Sequence, residues 1–144
     1  MKKIIFLSLF LVFAISNISA QAKKPVSIIT QGVGVKRFHE KSELDGMKKG
    51  ELIGLYVERI RVLINTLPYI ALTTKPGVTM EDLGVPMTSE NEKILESQKE
   101  RTASFLDTTV EFQKTMMSYS DKGNIVASIL YYESMLIALN KIYE

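Results

Sequence analysis

Residues 51–71 read ELIGLYVERIRVLINTLPYIA. Ile53, Tyr56, Ile60, Leu63, Leu67 and Ile70 recur at spacings of three and four, and Leu52, Val57, Ile64 and Ala71 widen the same stripe. That period belongs to an amphipathic helix with one face in a core. Glu58, Arg61 and Asn65 fall on the opposite side. Pro68 removes a backbone donor and crowds the turn before it, so the helix is expected to kink or end there. Upstream, Gly46 and Gly50 limit any earlier helix, started by Ser42 and Asp45, to a short one.

Downstream, residues 73–88 are punctuated by Pro76-Gly77 and Gly84-Val85-Pro86, which read as turns. Thr79 begins a segment able to cap one helical turn. Helix connections usually take about two to eight residues, so this one is long. It reads as a crossover packed on the bundle end, with a lid or recognition loop as the functional alternative. Ser89 and Glu92 form a capping box, which predicts a helix running to about Tyr119. At about 1.5 Å per residue it would span about 45 Å. The expected inner stripe is Ile94, Gln98, Thr102, Phe105, Thr109, Phe112, Met116 and Tyr119, polar in its first half. A turn at Asp121 and Gly123 follows, and Asn124 is the expected cap of a last helix running to the carboxyl end. Ile125, Ile129, Tyr132, Leu136, Leu139 and Tyr143 form its main stripe. Val126, Leu130 and Ile137 form a second apolar patch about 100–120° away around the helix. Together these segments predict an all-α fold: a small antiparallel bundle of three main helices, with room for a short fourth, preceded by an extended amino-terminal arm.

Before residue 42 the helical period is absent. Residues 23–41 carry Pro25, Gly32 and Gly34 beside Val26, Ile28 and Ile29, and read as a flexible, extended arm with no strand to pair with. The first 22 residues have a different character. Lys2 and Lys3 precede an apolar run over residues 4–15, and the polar stretch after it ends in Ala20-Gln21-Ala22. This is the layout of a secretory signal peptide cut after Ala22, with Ala20 as the alternative. The run is shorter than the roughly twenty residues a membrane span needs, and no cysteine follows it to carry a lipid. The segment resembles bacterial signal peptides. The expected division is therefore signal 1–22, arm 23–41 and helical domain 42–144, and the expected location is the periplasm or the exterior, with no transmembrane anchor in the mature chain.

The charge agrees with that division. The chain holds 18 Lys and Arg against 16 Asp and Glu, and removing Lys2 and Lys3 leaves 16 against 16. A balanced domain lacks the broad positive field that nucleic-acid backbones require, so no nucleic-acid partner is expected. There is no cysteine, so the fold must hold by packing alone. Thiolate chemistry, iron-sulfur clusters and covalent haem attachment are excluded with it. His39 is the single histidine and reads as an exposed loop residue. The row Glu92, Glu96 and Glu100 is interspersed with Lys93, Lys99 and Arg101 and reads as a solvated face. No metal or cofactor site and no catalytic set is expected.

Glu133 is the unusual acid. It falls between the two apolar patches of the last helix, and a carboxylate there needs a partner such as Arg59 or Arg61. A helix apolar on two sides must be covered by its own chain or by another molecule. Val126, Leu130, Glu133 and Ile137 are thus the candidate partner-binding residues. The expected function is a non-enzymatic interaction or structural module, docking on a protein of the cell envelope or forming a homo-oligomer. The alternative is a carrier or sensor of a small apolar ligand held near Tyr131, Tyr132, Met116 and Met135.

Overall fold

The structure is a computed structural model, and it describes residues 25–143. The proposed signal segment lies outside the described residues. The described chain is all-α, an antiparallel bundle with an extended segment before it. Its helices are α1 (Lys41–Gly46), α2 (Lys49–Thr66), α3 (Ser89–Met117) and α4 (Lys122–Asn140). Single 3-10 turns occupy Leu67–Tyr69 and Glu81–Leu83.

Local chemistry explains the boundaries. α2 starts where the Glu51 carboxylate accepts the Lys48 amide at 2.8 Å, the second half of a capping box. It ends at Thr66, and Pro68 then sits in the 3-10 turn. α3 is capped one residue earlier than expected: the Thr88 hydroxyl accepts the Asn91 amide at 3.1 Å. α4 begins at Lys122 behind Asp121, ahead of the expected Asn124.

α2 is the element against which both α3 and α4 pack, while α1 closes over α4. One core joins Leu44 of α1, Leu52, Tyr56 and Val57 of α2, Val110 and Met117 of α3, and Ile125, Val126 and Ile129 of α4. Val62 and Leu63 meet Leu136 and Leu139 further along the α2–α4 seam.

The arm is extended, as expected, but it is docked. Ile28 and Ile29 are buried with Tyr69, Met80 and Leu95. The arm finds its pairing partner in the long connection. The Ile28 amide donates to Val78 O at 2.7 Å, the Gly77 amide donates to Ile29 O at 2.9 Å, and Ser27 bridges Thr79 antiparallel. Gly77 has φ +89°, a conformation that favours glycine in this turn. The 73–88 segment is therefore a crossover packed on the bundle, with Thr73, Thr74 and Met80 buried.

α3 turns a different face inward from the one its sequence suggests. Its buried residues are Leu95, Thr102, Leu106, Val110 and Met117. Ile94, Phe105, Phe112, Met116 and Tyr119, expected in the core, are at least half exposed. The two series lie about 100° apart on the helix. Val110 and Met117 pack on the α2 core and Leu95 on the arm, while the aromatic series stays outside.

Candidate functional site

A polar cluster lies inside the bundle where α2, α4 and the arm meet. Arg59 is 1% exposed and Glu133 is 3% exposed. Arg59 donates to Glu133 Oε1 from Nε at 3.0 Å and from Nη2 at 2.6 Å. Its Nη2 also donates to Arg37 O at 2.6 Å, and its Nη1 to Glu58 Oε2 at 2.7 Å. The other carboxylate oxygen of Glu133, Oε2, accepts the His39 amide at 2.8 Å. Buried charges are costly unless paired and hydrogen-bonded, and here each charge satisfies the other.

His39 is correspondingly enclosed, not exposed as its sequence context suggests: its side chain is 9% exposed. Its Nδ1 lies 3.2 Å from Glu133 Oε1 and 3.1 Å from Arg59 Nη2. Nδ1 therefore faces both members of the ion pair. An imidazole held by a carboxylate is half of a triad, which would need a hydroxyl on the other ring nitrogen. Among the described residues no Ser or Thr hydroxyl bonds this ring. The cluster's donors and acceptors are spent on fastening residues 37–39 to α2 and α4.

This placement accounts for the second apolar patch of α4. Glu133 sits within the buried face of that helix, and its partner is Arg59. Arg61 instead reaches Asp107 at the surface, 3.3 Å away. Val126 is buried against Leu44 and the α2 core, and Leu130 is half-buried on the same cluster. Ile137 remains 40% exposed. Of the four candidate residues, two are thus covered by this chain's own arm and first helix, and Leu130 and Ile137 reach the surface. Nothing in the pattern of residues 23–48 signals that they would form this cover. The demand of Glu133 for several donors was the available hint.

The tyrosines divide between core and surface. The Tyr56 and Tyr132 rings lie 5.2 Å apart between centroids, tilted by 52°, and share a hydrogen bond of 3.1 Å between their hydroxyls. Burial, then the bond to Tyr132, pushes the Tyr56 phenol up from 10.0 to about 12. Tyr131 and Tyr119 are exposed. Tyr69 is buried, its hydroxyl has no hydrogen-bond partner among the described residues, and burial raises its pKa.

Two surfaces remain. On α3, Gln98, Phe105 and Phe112 recur every seven residues, Met116 lies one turn beyond Phe112, and Tyr119 follows in the turn after the helix. Exposure within the apolar members runs from 50% at Met116 to 85% at Tyr119. The second is an apolar cavity beside Tyr69, between the arm, the crossover and the start of α3. Among the described residues no group of three potential ligands converges as a metal site would require, and no helix is long and apolar enough to cross a membrane.

The fold and these features define a small helical bundle with a buried ion-pair fastening and an uncovered aromatic helix face. Comparison with known proteins returns no match: no family model, no curated protein and no solved structure is similar to this chain.

Proposed function

We propose that the protein is an exported, non-enzymatic interaction module that works as a homodimer, joined through the outer face of α3 in the periplasm or outside the cell. The observation that carries this reading is the apolar patch of Phe105, Phe112 and Met116 on α3, with Tyr119 in the turn just beyond it, each at least half exposed. An exposed apolar stripe along a helix favours a second apolar surface laid along it. Aromatic side chains offer about 150–250 Å² each, so these four residues present about 400–500 Å² of largely apolar surface per copy. A stable interface buries about 800 Å² per partner, and the Ser and Thr residues flanking the row can supply the remainder.

Paired antiparallel about a two-fold axis near Thr108, the row is self-complementary. Phe105 then lies opposite Phe112. Docking through the last helix rests on the smaller surface of Leu130 and Ile137, since Val126 and Glu133 are enclosed. Export rests on the pattern of residues 1–22, from the paired lysines to Ala20-Gln21-Ala22.

Size-exclusion chromatography with light scattering on protein recovered from an exporting bacterial host tests both parts. The expected species is a dimer whose amino terminus is Lys23 or Gln21. Phe112→Glu should give a folded monomer. A wild-type monomer across the micromolar range would refute self-association, and an intact residue 1–22 segment on the recovered protein would refute cleavage.

A further inference from the structure

The cavity beside Tyr69 has a volume of about 240 Å³. Ile28, Tyr69, Met80 and Leu95 line its interior, and Leu72 and Ile94, each at least half exposed, form its lips. Its walls are almost wholly apolar, a surface that favours a hydrocarbon chain over water. At the Ile94 lip a groove continues across α3 to Lys93, Ser97 and Arg101. Ile94 and Gln98 line both, so an apolar recess and a basic rim are continuous. Neither Lys93 nor Arg101 has an ion pair among the described residues.

We propose that this recess binds one anionic single-chain amphiphile of the medium-chain fatty acid type, with its tail in the cavity and its head on Arg101 and Lys93. Size favours a medium chain: a recess of about 240 Å³ that is open on one side takes up part of a longer chain and leaves the rest in water. Charge sets the head group. A guanidinium matches a carboxylate with two parallel donors, and the ammonium of Lys93 adds a second positive charge on the same rim. In the antiparallel pairing Arg101 would face the partner's Met116, so the amphiphile and a second copy compete for this rim, and the titration is made on the Phe112→Glu monomer as well as on the wild type.

Isothermal titration calorimetry of the full-length gene product, recovered after export, tests this with a series of saturated fatty acids from six to fourteen carbons, kept below their aggregation concentrations. Affinity should rise about three- to fourfold per methylene up to about eight to ten carbons and then level off. Decanoate should bind at least tenfold more tightly than decanol, and decylamine more weakly still. Arg101→Glu should remove the preference for decanoate while leaving decanol binding unchanged. Ile94→Glu, at an exposed position, should weaken every member of the series without lowering the melting temperature. No saturable binding of any free acid would overturn the proposal. So would equal affinity for decanoate and decanol, or binding seen only to phosphatidylglycerol vesicles, which would mark a membrane surface contact instead of a recess.

Discussion

Arg59 and Glu133 meet inside the bundle, 74 positions apart in the chain, with Nη2 2.6 Å from Oε1. The pair joins α2 to α4, and through Arg37 O and the His39 amide it also holds the arm. It therefore fastens three segments at one point. Removing either partner leaves a buried charge uncompensated, whereas replacing both with apolar residues removes the desolvation cost as well.

Glu133→Gln and Arg59→Met should each destabilise the fold by about 3–5 kcal/mol. The double variant Arg59→Met with Glu133→Leu should lose less than either single change. Urea unfolding followed by circular dichroism measures all three. Single-variant losses below about 1 kcal/mol would mean that water reaches the pair.

The arm should behave as part of the domain. Ile29→Ala, at a buried position, should cost about 2–5 kcal/mol. His39→Ala keeps the amide bond to Glu133 and loses only the ring contact, so about 1 kcal/mol is expected. Hydrogen exchange should protect the Ile28 and His39 amides, which donate to Val78 O and Glu133. Exchange of both at the rate of a free chain would mean that the arm is undocked in solution.

Alkaline pH should weaken the fold through Tyr56. Its phenol is pushed up to about 12 from 10.0, chiefly by burial. A group whose folded pKa is raised contributes stability that is complete below its unfolded value, and this contribution is lost as pH rises through the folded value. Stability should therefore fall between pH 10 and 12. Tyr56→Phe should flatten that fall and remove one late-ionising phenol from the absorbance titration near 295 nm. An unchanged titration curve would contradict the assignment.

Tyr69 should respond in the opposite way to most buried tyrosines. Its hydroxyl is buried without a partner among the described residues, so it carries a desolvation cost with no return. Tyr69→Phe should be neutral or stabilising by up to about 1–2 kcal/mol. A clear loss would reveal a hydrogen bond made in solution.

The three long helices were readable from their apolar spacing, and α3 also from its cap, which falls at Thr88, one position before the expected Ser89. The inward face of α3 was not. Its aromatic series and its aliphatic series are both periodic, and only the shape of α2 decides which one is buried. The arm failed for a related reason. Ile28 and Ile29 have no period of their own, and their partners, Tyr69, Met80 and Leu95, lie some 40 to 67 positions further along the chain. Glu133 was recognisable as a carboxylate in need of donors, and Arg59 was one of two donors available. That His39 would join them was hidden, because a backbone amide donor has no signature in a side-chain pattern. Val126 needs no outside partner, because Leu44 of the short α1 and the α2 core cover it.

The self-association of α3 is open to one direct measurement, because the chain contains no cysteine. A single Thr108→Cys variant places the only thiol near the proposed two-fold axis, and Ser97→Cys places it away from that axis. Under mild oxidation, Thr108→Cys should form a disulfide-linked dimer rapidly and nearly completely, while Ser97→Cys stays monomeric on a non-reducing gel. Equal, slow crosslinking of both, or none at Thr108, would contradict pairing through this face.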